Sequence, residues 1–202
     1  MHVHIRIGIF ILILLMIPNL IMAQNVALKV DELNRQADLT TYMKSIEILI
    51  PAIQAAPDDF ELWWRLARAR QNYADMAASR RIPGWKEICV EQGHEAMKAG
   101  KKAAALRPAA VEGYYYTGCS AGTVCTGSSQ MAILKEGLLK EIRINLEKAY
   151  NINRYFDNGG PIQALASYLW MSPDSRAGTW TRRKNWHVKA CGCTRTILQA
   201  GP

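Results

Sequence analysis

Histidine is scarce in this chain: four in 202 residues, with His94 the only one between residues 24 and 171. Together with Glu91 and Glu95 it offers two carboxylates and one imidazole on a helical turn, too few ligands for a zinc site. A solvated helix face is expected there. Cysteines number five, but no pair has the C-x-x-C spacing of zinc or redox sites. Cys89, Cys119 and Cys125 are scattered and are expected to act as small buried apolar side chains. No long charged or low-complexity tract is present, which excludes a disordered chain. A basic face is also lacking. The formal charge is +8, yet residues 24–171 carry 18 Lys+Arg against 16 Asp+Glu, and the stretch after Pro173 carries six basic residues and one acid. Basicity belongs to the tail, so nucleic acid is not an expected partner.

What is present starts with an export signal. Met1–Arg6 is a short basic start, Ile7–Leu15 an almost unbroken apolar run, and Ile21-Met22-Ala23 a cleavage-like triplet. Residues 1–23 therefore read as a cleavable secretory signal peptide, which predicts a periplasmic protein. The alternative is an uncleaved membrane anchor. Against it, residues 7–23 are short for a span of ~20 apolar residues and contain Pro18 and Asn19. No cysteine follows the run, so a lipid anchor is not expected.

From Ala27 to Trp170 apolar residues recur at three- and four-residue spacing, which predicts an all-α domain over residues 24–171. Tyr42, Ile46, Leu49 and Ile53 share one face; so do Leu62, Leu66, Ala69 and Tyr73, and then Ile133, Leu138, Ile142, Leu146 and Tyr150. Breaks are expected at Pro57-Asp58-Asp59, Ile82-Pro83-Gly84, Arg107-Pro108, Thr126–Ser129 and Asp157–Pro161. Asp58 or Asp59 would cap the helix from Phe60, and Pro161 would fill the first turn of the last one.

The breaks recur with related sequence. Trp63-x-x-Leu66-Ala67 follows Pro57, and Tyr114-x-x-Thr117-Gly118 stands at the same offset after Pro108. An aromatic, an apolar residue and a small one, then a small-rich second helix ending at proline, is the tetratricopeptide pattern. It predicts a stack of antiparallel helix pairs. The spacing is loose: Pro57 and Pro108 stand 51 residues apart against a repeat of ~34. The extra sequence falls at Ser79–Lys86 and Thr126–Met131, and such insertions often shape a binding site. In these repeats the first helix of each pair lines a concave groove. Mapped from the prolines, its positions are Glu61, Trp64, Arg68 and Gln71 in one unit, then Glu112, Tyr115, Cys119 and Gly122 in the next. They would suit a mixed apolar and polar ligand or peptide. Trp64 and Tyr115 could equally be core residues.

Three stretches carry a more specific resemblance. Pro108-x-x-Val111-Glu112-Gly113-Tyr114-Tyr115-Tyr116-x-Gly118, Asn145-Leu146-Glu147-Lys148-Ala149-Tyr150, and Phe156-Asp157-x-Gly159-Gly160-Pro161-x-x-Ala164-Leu165 resemble the T-component of TRAP transporters, the TatT family. The resemblance covers residues 30–171, and Asp157, Gly159, Gly160 and Pro161 form its most specific motif. It implies a periplasmic protein that associates with a solute-binding protein and the TRAP permease. It also implies a homo-oligomer, a trimer in the family, and a pore or cleft suited to a hydrophobic small molecule. The segment 172–202 departs from the family, which leads us to expect an aberrant or truncated C-terminus. In that case Ile162, Leu165 and Leu169 would lack their usual cover.

Enzyme-like strings are few. Gly118-Cys119-Ser120-Ala121-Gly122 satisfies G-x-S-x-G, but a hydrolase needs that string at a strand-to-helix elbow. Here the repeat requires a helix, with the glycines allowing close packing. Asp157-Asn158-Gly159-Gly160 lacks the alternating ligands of a calcium loop and is expected to be a turn. The chain is thus expected to be a binding protein and not an enzyme, with no cofactor, no metal and no catalytic residue. A general adaptor in envelope assembly is the main alternative, and a serine hydrolase the lesser one.

Overall fold

The computed structural model describes residues 24–171, and within them the chain is all-helical. The signal segment 1–23 and the tail 172–202 lie outside the described residues. Helix α1 covers residues 24–35. It is followed by α2 (Leu39–Ala55), α3 (Phe60–Ser79), α4 (Trp85–Leu106), α5 (Val111–Gly127), α6 (Gln130–Glu136), α7 (Leu138–Asn153) and α8 (Phe156–Met171). None of these helices is long and apolar enough to cross a membrane.

The helices stack in chain order. Helix α2 packs on α3, α3 on α4 and α4 on α5; α7 packs on both α5 and α8, and α3 and α5 also touch across α4. The sequence stripes become the core. Leu49 and Leu62 are fully buried with Ile46, Ile53 and Leu66 in one cluster, and Ile142 and Leu146 join Leu138 and Val124 in a second. Leu165 is buried in that second cluster, so this residue is covered, contrary to expectation. Tyr115 packs against both clusters and joins them.

The α4–α5 interface explains the small-rich sequence. A Cβ added at Gly100 would sit 3.1 Å from the Gly113 carbonyl oxygen, and one at Gly113 would sit 2.5 Å from the Ala104 nitrogen. The two backbones are nearly in contact, which only small residues permit. Thr117 and Ser120, buried in the same interface, donate their hydroxyls to the carbonyls of Gly113 and Tyr116, each at 2.6 Å. Their polar groups are thereby satisfied inside the helix.

Most expected breaks occur where the stop chemistry stands. Asp59 caps α3 by accepting from the Glu61 N–H at 2.8 Å, while Asp58 pairs with Lys102 at 3.0 Å. Two breaks were missed. Asp38 caps α2 in a reciprocal box with Thr41, after Ala37 turns at φ 50°. Gly137, at φ 66°, ends α6 and begins α7, so Ile133 and Leu138 belong to separate helices. The expected turn at Asp157–Pro161 is present in sharper form. Asp157, Asn158 and Gly159 all adopt left-handed backbone (φ 48°, 56° and 83°) before the helix resumes through Pro161.

Candidate functional site

Residue Arg65 was not among the expected groove positions, but it organises them. One turn after Glu61 on α3, it reaches back with Nη1 to the Glu61 carboxylate at 2.8 Å. It also grips Asp31 of α1 through Nε at 3.0 Å and Nη2 at 2.8 Å. Arg68 adds a second guanidinium to the same carboxylate, Nη2 to Oδ1 at 2.5 Å. Burial pushes the Asp31 carboxyl up, but hydrogen bonds and charge from Arg65 and Arg68 outweigh it and hold the group below the usual range. Glu61 behaves likewise: burial opposes ionisation, while Trp64, Arg65 and Arg107 together lower its pKa.

An aromatic column continues from this network. The Trp64 Nε1–H donates to Glu61 at 2.9 Å, and the guanidinium groups of Arg65 and Arg68 lie 4.2 and 4.9 Å from its ring centroid. Trp64 stacks on Tyr116 at 6.0 Å. Tyr116 meets Tyr115 edge-on at 4.9 Å, and both meet Phe156 of α8, at 6.2 and 5.5 Å. Side chains of α1, α3, α5 and α8 thus form one continuous ionic and aromatic seam.

The expected groove residues divide across this seam. Glu61, Trp64 and Arg68 come together, and Tyr115 joins them through Tyr116. Trp64 is 8% exposed and belongs to the core; Tyr115 is half-buried. Arg68 does not stand free at the surface of the expected groove. Its guanidinium is tied to Asp31, and its Nε is buried without a hydrogen-bond partner. Gln71 turns away and donates to Asp75. Glu112 stands in the first turn of α5, where it suits the helix dipole, and it makes no ion pair among the described residues.

Cys119 is half-buried on α5. Burial, aided by the carboxylates of Asp75 and Asp157 and opposed by a hydrogen bond with Tyr115, pushes its thiol up to about 12. It is a neutral thiol at pH 7, without nucleophilic activation. Burial also raises both tyrosine hydroxyls, and Asp157 adds to the effect at Tyr116. In the Asp157–Pro161 motif, Gly159 supplies left-handed backbone. Gly160 does not, which corrects the expectation that both glycines serve the turn. A Cβ on Gly160 would lie 2.5 Å from the Tyr115 hydroxyl, so its role is to let the tyrosine approach. The fully buried Pro161 follows it.

The G-x-S-x-G string lies inside α5 with Ser120 fully buried. Gly118 packs against Leu146, whereas Gly122 faces open space, so close packing accounts for one glycine only. His94 faces Glu136 of α6 at 3.3 Å, and Glu95 pairs with Lys98 at 2.6 Å.

No protein-family model matches this chain, and no curated protein matches it either.

Proposed function

We propose that this chain is an exported, tetratricopeptide-like accessory protein of a TRAP-type transporter. In this reading it is a periplasmic scaffold that holds a solute-binding protein and a small apolar or amphipathic solute. The observation that carries the proposal is the seam from Asp31 through Arg65, Arg68, Trp64 and Tyr116 to Phe156. Trp64 and Tyr116 are buried in it and both arginines are paired, so the seam fastens α1, α3, α5 and α8 into one frame, which supports a scaffold that carries its partners on its outer faces. The trimeric state and the permease partner come from the sequence resemblance alone.

One observation favours the adaptor reading instead. Helix α6 has no buried residue, and Met131 and Leu134 stand 73% and 62% exposed, a ridge suited to docking another protein. The hydrolase alternative gains nothing from a Ser120 buried in mid-helix, and a Ser120→Ala variant assayed on a generic ester tests it.

Native mass spectrometry of the mature chain, alone and mixed with a solute-binding protein of a TRAP-type transporter, separates the readings. A defined homo-oligomer, a co-purified small molecule and a stable complex are expected. A monomer that carries no solute and ignores the solute-binding protein would sink the transporter assignment.

A further inference from the structure

The two insertions meet in space. Ala78, Ser79, Arg81 and Trp85, from the end of α3 and the start of α4, line a surface cleft with Thr126 at the end of α5. Asp75 lies in its wall. The volume is about 410 Å³, within the roughly 300–1,000 Å³ of small-molecule sites.

Two opposite charges of this cleft have no ionic partner among the described residues. Asp75 is exposed on the open wall of the cleft. Its Oδ1 accepts from the Thr123 hydroxyl at 2.6 Å and its Oδ2 from the Gln71 amide. A carboxylate offers about four lone-pair positions, so each oxygen keeps accepting capacity. Burial outweighs the two bonds and raises the carboxyl pKa. In the same lining, Arg81 lays its guanidinium 4.7 Å from the Trp85 ring centroid.

The position of Arg81 is itself unusual. It occupies the left-handed residue just past α3, at φ 51°. There its N–H donates to Ala78 and the next N–H, of Ile82, donates to Ala77, each at 3.2 Å. This helix-ending arrangement favours glycine, and an arginine there adopts a costlier backbone. Strain of that kind concentrates where a side chain must be aimed.

We infer that the cleft binds a small zwitterion of the α-amino-acid class, its ammonium on Asp75, its carboxylate on Arg81 and its side chain along Trp85 and Ala78. A simple organic cation would leave Arg81 unpaired and repelled; a simple anion would do the same to Asp75. A bare metal ion would find one carboxylate beside a guanidinium, and no group of three metal ligands occurs among the described residues. The inference does not depend on the transporter reading, because it uses only residues of this cleft.

Isothermal titration calorimetry of the full chain tests it with probes that differ by one charge. L-Phenylalanine or L-leucine should bind at least about tenfold more tightly than 2-phenylethylamine or 3-phenylpropionate. Asp75→Asn should weaken amino-acid binding by about tenfold or more while sparing 3-phenylpropionate. Arg81→Gln should do the converse, sparing 2-phenylethylamine. Circular dichroism of both variants checks that the helices persist. No binding by either amino acid at millimolar concentration, or equal binding of all probes, would overturn the inference. So would amino-acid affinity that neither substitution changes.

Discussion

Asp31, which reaches α3 from α1, and Asp75, which α3 itself carries, are two carboxylates treated in opposite ways. Asp31 faces two guanidinium groups and is held below its usual pKa; Asp75 faces a hydroxyl and an amide and is raised above it. The cations divide in the same manner. Arg65 and Arg68 are 12% and 13% exposed in their side chains and locked in ion pairs, while Arg81 is exposed, lies over an indole face and makes no ion pair among the described residues. Where charges are paired between helices they fasten the stack. Where they stand unpaired in a cleft they are free to meet a ligand.

The largest expected effect comes from breaking the paired side. Arg65→Met leaves Asp31 with one cation and Glu61 with fewer donors; because both carboxylates are partly exposed, the loss should be about 1–2 kcal/mol, below that of a fully buried pair. Thermal unfolding should fall by roughly 2–8 °C. The pH dependence has a definite sign. Because the folded pKa of Asp31 is depressed, its stabilisation is complete above the unfolded value near 3.8 and is lost as pH falls through the folded one. The gap between wild type and Asp31→Asn should therefore close in acid. An Arg65→Met protein as stable as wild type would show that Arg65 does not fasten α1, which Arg68, the Asn72–Asn34 hydrogen bond and apolar contacts then hold without it.

These two regions were unequally legible in the sequence. The helices could be read because burial at Ile46, Leu49, Leu62 and Ile142 writes a 3.6-residue period into the chain. The boundary at Gly137 was hidden because apolar residues continue in phase across it, and only the left-handed backbone breaks the helix. The repeat positions place Glu61, Trp64 and Arg68 on one helix face, and the structure brings their side chains into contact. They could not reveal Asp31, whose link to Arg65 spans 34 residues and leaves no periodic trace. Asp75 was within reach: it lies one turn beyond Gln71 on the same helix face. That no ion pair forms there among the described residues, which gives it its character, shows only in three dimensions.

A smaller effect should come from the unpaired side, and with the opposite sign. Arg81→Gly puts the favoured residue into a left-handed helix terminus, which should stabilise the fold by about 0.5–1 kcal/mol. The same change removes the cation from the cleft. Stability measured by urea unfolding should rise while amino-acid binding falls. If both fall together, Arg81 serves the fold, and the contrast between the two regions fails.

The smallest effect sharpens the contrast most. Asp75→Asn keeps an oxygen to accept from Thr123 but removes a charge that burial disfavours. Since the folded pKa of Asp75 is raised, its ionisation costs stability that develops as pH rises from the unfolded value near 3.8 and is complete above the folded pKa. The variant should be the more stable protein at neutral pH, by less than about 1 kcal/mol because water reaches the carboxylate. The difference should vanish in acid. Asp31→Asn and Asp75→Asn would then have opposite signs at pH 7 and converge on wild type as pH falls. Destabilisation by Asp75→Asn at neutral pH would mean that the carboxylate is fastened by its two hydrogen bonds, as Asp31 is by its arginines, and is not held open for a ligand.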